Sequence, residues 1–394
     1  MKFRRIFLIV TDGLGIGYEK RQKEFGDDKA NSLYHTTLNA EVKIPTWQKL
    51  GIGHVAKIHN EGKRKNPKAY ITKATTLSNA KDTLAGHWEM MGIFTKIPFP
   101  VFTETGFPKE LLDNLSKACD GREIIGNKSA SGTEILDELA QKEIDEKKLI
   151  VYTSGDSVLQ ICGHEETMGL ENLYRYAKEA RRICSSRPEW NVGRIIARPY
   201  TGSAGNWKRT FNRHDYAVTP TEETILDRLK AKKINTISVG KIQDIFAGQG
   251  INEHHPSGSD AIGMDVTIEL AQKAKDNSFI FTNLVQFDSH YGHRRDVNGY
   301  AENLNTFDIK LTKLINSLKE DDLLLMTSDH GNDPTYRGTD HTREALPVTI
   351  FSKSFKDPKI LKDFTSLATV GNIVAKNFGV ELAKIGQDFF EELI

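Results

Sequence analysis

Short, nearly continuous apolar runs alternate with amphipathic stretches along this chain. The runs Arg5–Val10, Leu149–Thr153, Arg194–Ala197, Ile234–Val239, Phe279–Val285, Leu323–Thr327 and Val348–Phe351 are predicted strands. Several are apolar at successive positions, as expected of strands covered on both faces. Between them, Leu170, Leu173, Ala177 and Ala180 step by three and four, the spacing of one helix face. Thr219-Pro220-Thr221-Glu222-Glu223 predicts a helix start, with a capping hydroxyl, an early proline and acids in the first turn. Ser259-Asp260 predicts another, for a helix running to Lys275. Strand–helix alternation of this kind points to an α/β fold with a mainly parallel sheet.

Two links divide the chain. Phe94–Pro108 carries Pro98, Pro100 and Pro108, and Pro199–Pro220 is rich in Gly, Asn and Arg. The expected arrangement is a discontinuous core formed by residues 1–98 and 218–394, with a smaller α/β domain, 99–217, inserted between its halves.

Charge and composition narrow the classes. Over 394 residues, 54 Lys+Arg stand against 53 Asp+Glu, so bulk attraction to nucleic acid is disfavoured. The longest apolar runs, Ile6–Val10 and Leu323–Met326, are far short of the ~20 residues that cross a bilayer. The opening resembles a signal peptide, but its apolar stretch ends at Thr11-Asp12, which suits a buried first strand. The three cysteines contain no CxxC, which argues against a disulfide scaffold or a thiolate zinc site and points to the reducing cytoplasm.

The chemistry gathers just after predicted strands. Asp12 follows the first; Asp288 and His293 follow Phe279–Val285; Asp329 and His330 follow Leu323–Thr327. In open parallel sheets ligands collect at the carboxyl ends of strands, so three strands deliver these groups to one edge. His341, eleven residues after His330, lies on a loop able to fold back to them. Three carboxylates and three imidazoles exceed what one divalent ion takes and suggest two, clamping the oxygens of a phosphoryl transfer. Mn²⁺ suits this donor set, Zn²⁺ is compatible with it, and Mg²⁺ alone fits three imidazoles less well.

A second signal is Lys81-Asp82-Thr83-Leu84-Ala85-Gly86-His87-Trp88-Glu89-Met90-Met91-Gly92. A helix starting after Asp82 puts Thr83 in its first turn, where free N–H groups favour a phosphate and the hydroxyl can serve as a nucleophile. A third is cationic: Arg194, Arg198, Lys208, Arg209 and Arg213 crowd twenty residues of an otherwise neutral chain, as a small polyanion would require.

These stretches resemble the bacterial phosphopentomutase family of the alkaline phosphatase superfamily. The likeness runs nearly end to end: Val10-Thr11-Asp12-Gly13-Leu14-Gly15, Lys81–Gly92, Tyr152–Ile161, Arg194–Tyr200, Asn212-Arg213-His214-Asp215-Tyr216, Gly240-Lys241-Ile242, Tyr291-Gly292-His293-Arg294-Arg295-Asp296 and Thr327–Asp333. The resemblance implies an alkaline-phosphatase-like core with an inserted cap that binds substrate. It implies one Mn²⁺ on Asp288, His293 and His341, and another on Asp12, Asp329 and His330. Thr83 corresponds to a phosphorylated threonine bridging the metals. Asp156, Arg194, Arg209 and Lys241 align with positions that contact the sugar phosphate.

The implied reaction interconverts ribose 1-phosphate, or its 2-deoxy form, with the 5-phosphate through a bisphosphate, primed by a hexose 1,6-bisphosphate. The expected protein is a cytoplasmic monomer with no nucleic-acid or membrane partner. A metal-dependent phosphomonoesterase or phosphodiesterase of the same superfamily is the alternative. The chain departs from the family pattern at Gln286, Ala85 and Cys162-Gly163. Gln286 stands two residues before Asp288, where an acid is expected, and predicts altered tuning around that carboxylate.

Overall fold

The computed structural model describes residues 1–394 apart from 60, 61, 64, 156 and 394. The chain divides into two compact units, Met1–Lys96 with Pro220–Ile394, and Ile97–Thr219.

In the larger unit seven strands form one sheet, in the order Glu253–His255, Asn235–Val239, Ser278–Leu284, Arg5–Thr11, Asp322–Thr327, Leu346–Phe351 and Tyr70–Ala74. The first five run parallel; Leu346–Phe351 runs against them, and Tyr70–Ala74, antiparallel to it, closes that edge. Arg5–Thr11 is central and buried along its whole length. Phe7 and Ile9 join Ile280, Leu324 and Met326 in one apolar cluster with Tyr300, Leu304, Phe307, Leu311 and Leu314 of the helix Val297–Ser317. The period of two sends Ile6, Leu8 and Val10, also buried, to the opposite face. At the amino end of these strands Arg5 grips its register partner Asp322 through two hydrogen bonds of 2.8 and 2.6 Å, both side chains fully buried. The fork-to-fork geometry compensates two charges removed from water.

The smaller unit holds a mixed sheet in the order Ile124–Ser129, Leu149–Thr153, Val158–His164, Arg194–Thr201 and Lys208–Arg209, with His214–Ala217 also paired to Arg194–Thr201. One face packs Leu111, Leu115, Leu173, Tyr176 and Ala177 of two helices against Leu149, Val151, Leu159 and Ile161; the other packs Ile135, Leu136 and Ala140 against Ile150 and Tyr152. All three cysteines are buried and unbridged, and burial pushes each thiol up to about 12. No described helix is long and apolar enough to cross a membrane.

Two helix starts contrast. Ser259 caps the helix Asp260–Lys273 through Ile262 N, as its position predicts. The expected start at Thr219-Pro220 is displaced to Thr224, which caps Ile225–Ala231 in a reciprocal pair with Asp227. Thr224-x-x-Asp227 satisfies two end groups at once, which a lone hydroxyl before a proline does not.

Candidate functional site

The parallel register brings three carboxylates to one edge. Thr11 pairs with Leu284, and Val10 with Thr327, so the residues following the three strands leave the sheet side by side. Asp12, Asp288 and Asp329 are all essentially buried. Gly13, at φ +80°, turns the chain away after Asp12, and a side chain there would press on Asp288 Cβ at 3.1 Å.

Asp288 and His293 are five residues apart, a spacing that an α-helix would splay. The segment Phe287–Gly292 is instead a π-helical turn, and His293 N bonds Asp288 O at 3.0 Å. Wider turns of this kind bring residues five apart into line. His293 Nε2 then lies 3.3 Å from Asp288 Oδ2, and His341 Nε2 3.3 Å from Asp288 Oδ1. His330 Nε2 lies 3.3 Å from Asp12 Oδ1 and 3.4 Å from Asp329 Oδ2. Ring centroids of 4.1 Å between His330 and His341, and 4.6 Å between His293 and His341, join these groups into one cluster.

The imidazoles are oriented from behind. His293 Nδ1 donates to Thr339 O at 2.5 Å and His330 Nδ1 to Gly331 O at 3.0 Å, leaving both Nε2 lone pairs for the cluster. Asn332 donates to Asp288 at 2.7 Å, Asn283 to Asp12 at 2.8 Å, and the Gly13 and His330 amides to Asp329. Burial and neighbouring Asp329 raise the Asp12 carboxyl. Burial also opposes ionisation of Asp288, but His341 and His293 outweigh it and hold that carboxyl well below its usual range. Burial would lower His330, yet Asp329 and Asp12 raise it well above normal.

The donor set fits divalent cations. Asp329 Oδ2 and His341 Nε2 are buried without a hydrogen-bond partner among the described residues, and packed carboxylates with inward lone pairs need positive charge between them. Asp288, His330 and His341 can share one ion; Asp12 and Asp329 form a second set with His87. His330 therefore stands at the junction of the two sets.

Thr83 opens the helix Thr83–Met90, capped by Asp82 through Ala85 N. Its Oγ1 lies 3.4 Å from Asp12 Oδ1 and 3.3 Å from His330 Nε2. The helix approaches so closely that a side chain at position 86 would meet Asp329 O at 2.4 Å, so Gly86 is required there. Lys81 ties this entry to the His341 loop by pairing with Asp27 at 3.0 Å and Asp340 at 3.2 Å.

Of the expected substrate contacts, Lys241 follows Asn235–Val239 at the same sheet edge. Arg194 and Arg209 belong to the smaller unit, on Arg194–Thr201 and Lys208–Arg209. There Asp215 is partly desolvated but held low by Arg213, Arg194 and Arg198. Asp156 lies outside the described residues. Gln286 is tied to the start of the helix Asp260–Lys273: its Oε1 accepts from Asp260 N at 2.8 Å and its backbone N–H donates to Asp260 Oδ1 at 3.0 Å. His87, Asn283 and Asn332 complete the surroundings and had no part in the sequence-derived site. For His87 the signal was its place four residues after Thr83.

Residues 4–382 match the sequence model of the Metalloenzyme superfamily. A phosphopentomutase of Mycoplasmopsis pulmonis is 56% identical over 392 residues, covering 100% of this chain and 99% of that protein. A phosphopentomutase of Clostridium tetani is 51% identical over 399 residues, covering 100% of both. The solved structure of a protein from Pyrococcus horikoshii matches 98% of this chain and 100% of its own at a TM-score of 0.50 and 11% identity, a likeness of fold alone.

Proposed function

The chain belongs to the phosphopentomutase family, metal-dependent isomerases with an alkaline-phosphatase-like α/β fold, and from that premise we propose that it interconverts α-D-ribose 1-phosphate, or 2-deoxyribose 1-phosphate, with the 5-phosphate. Thr83 carries the phosphoryl group in the resting form. A hydroxyl oxygen of the bound pentose monophosphate attacks that phosphorus, the bond to Thr83 Oγ1 breaks, and a bisphosphate forms. The other phosphoryl group then returns to Thr83 Oγ1, leaving the isomeric monophosphate. Phosphate is neither gained nor lost, and a hexose 1,6-bisphosphate primes the first turnover.

Asp288, His293 and His341 would hold one Mn²⁺, and Asp12, Asp329 and His330 the other. When bound, the pair supplies positive charge to the transferring group and favours the Thr83 alkoxide. The chain's own part is positional. Asp82 fixes the first helical turn, whose amides face a phosphate favourably. Arg194 and Arg209, with Asp156 and Lys241, bind the substrate's phosphate and sugar. Phosphoryl chemistry then belongs to the larger unit, and the substrate contacts other than Lys241 to the smaller, in a cytoplasmic monomer with a small-molecule partner.

The observation that carries this reading is the Thr83 hydroxyl facing Asp12 and His330 at the rim of the buried cluster. The test is a coupled assay of wild type and Thr83→Ala, scoring isomerised sugar phosphate against released phosphate, with intact mass read in parallel. Isomerisation with phosphate on wild-type Thr83 alone supports the proposal. An alanine variant of near-normal turnover removes the nucleophile, and release of inorganic phosphate as main product favours a hydrolase.

A further inference from the structure

His87 is fully buried and sits one helical turn after Thr83. Its Nδ1 lies 2.9 Å from Thr83 O and 3.1 Å from Asp329 Oδ2, both acceptors. Its Nε2 lies 3.3 Å from Asn283 Nδ2, a donor that also reaches Asp12 Oδ2 at 2.8 Å. Its ring stacks on Phe281, with centroids 5.9 Å apart and planes at 29°. Although His87 lies close enough to Asp12 and Asp329 to complete a metal-binding trio, coordination through Nδ1 would leave a lone pair facing a backbone carbonyl oxygen, and coordination through Nε2 would displace Asn283. Both ring nitrogens are used when Nδ1 carries the proton and donates to Thr83 O while Nε2 accepts from Asn283.

We propose that His87 is a positioning residue rather than a ligand: its Nε2 places Asn283, which holds the Asp12 carboxylate, and its Nδ1 edge faces Asp329 Oδ2 at 3.1 Å, so that both carboxylates are packed to the helix that carries Thr83. The inference rests on the reading of Asp12 and Asp329 as metal ligands. It gives a reason for the spacing of four between Thr83 and His87, which puts hydroxyl and imidazole on one helix face. It also explains Gly86: the imidazole reaches Asp329 only because the helix backbone rests against it. A carboxylate held in one orientation binds a cation with less ordering cost, and outer partners of this kind are worth about 10–100-fold in metal affinity.

Titration of the metal-free full-length protein with Mn²⁺, by calorimetry, tests this. An asparagine amide can replace Nδ1, whereas a glutamine amide reaches toward Nε2. His87→Gln is expected to weaken the affected Mn²⁺ about 10–100-fold, with stoichiometry unchanged, and His87→Asn to recover most of that loss. In the loaded enzyme kcat should fall in His87→Gln while KM for the sugar phosphate stays put. Asn283→Leu, which leaves the helix untouched, should weaken Mn²⁺ in the same range. Wild-type affinity in both His87→Gln and Asn283→Leu overturns the proposal, as does equal loss in His87→Asn and His87→Gln. A wild-type protein that binds no Mn²⁺ instead overturns the underlying assignment of the ligands.

Discussion

In the larger unit Asp12, Asp288 and Asp329 are buried, and each accepts at least one hydrogen bond from a group that is itself fixed by the fold. In the smaller unit Lys208 and Arg209 stand exposed on a two-residue strand. Arg213 meets Asp215 at 2.5 Å, but its neighbour Arg194 reaches that carboxylate only at 4.0 Å. One region is buried and internally hydrogen-bonded; the other carries cations, two of them exposed, along the edge of a sheet. Under the proposed reading, chemistry that tolerates little misplacement would sit where packing dictates geometry, and recognition of a charged group where long side chains reach outward.

This contrast can be broken at several points. The largest effect is expected from Asp288→Ala, which removes the carboxylate between His293 and His341. One ion per chain should disappear from elemental analysis, and turnover should fall by more than the roughly 100-fold upper range of an outer partner. Gly86→Ala comes next. The added methyl cannot be relieved by a flexible side chain, because it meets backbone, so unfolding stability should drop by about 1–3 kcal/mol and Mn²⁺ affinity with it.

Arg209→Ala should behave in the opposite manner. Thermal stability should stay within about 0.5 kcal/mol of wild type. The KM for sugar phosphate should rise about tenfold or more, the worth of one charged hydrogen bond. A destabilised Arg209→Ala with an unchanged KM would place that cation in the framework rather than in recognition.

The smallest effect sharpens the electrostatic side. Burial pushes the Asp260 carboxyl up to about 6. The folded protein therefore holds this proton more tightly than the unfolded chain does. The stabilisation is complete below about pH 4 and is lost as pH rises through 6, by at most about 3 kcal/mol. Asp260→Asn keeps the shape without the charge. Its denaturation midpoint should vary less with pH over that window than the wild-type midpoint does.

What the sequence disclosed follows from how each element is buried. Ile6–Val10 and Leu323–Met326 are apolar at every position because both faces of their sheet are covered, and such runs are visible without partners. Tyr70–Ala74 lies at the sheet edge, reads Tyr-Ile-Thr-Lys-Ala, and is recognisable only beside Leu346–Phe351. Val158–His164 is wholly buried yet contains Gln160, Gly163 and His164, so its polarity hides it. The convergence of Asp12, Asp288, His293, Asp329 and His330 was legible because each comes soon after a strand, whereas His341 could be placed only as a residue on a loop able to fold back. His87 and Asn283 were not legible, since one lies inside a helix and the other inside a strand, where a polar side chain looks like any other until its neighbours are known.

The place of Arg5–Thr11 between Ser278–Leu284 and Asp322–Thr327 also governs how the molecule is made. A nascent chain emerging from the ribosome presents this apolar strand before its flanking partners, which follow hundreds of residues later. At about 5–20 residues per second the delay is on the order of ten to fifty seconds. Throughout that interval an unpaired hydrophobic segment must be shielded, while the inserted unit, whose strands all derive from 97–219, can already assemble its own sheet. Chaperone dependence during biosynthesis should accordingly track the larger unit, and vectorial synthesis should complete the smaller one before it.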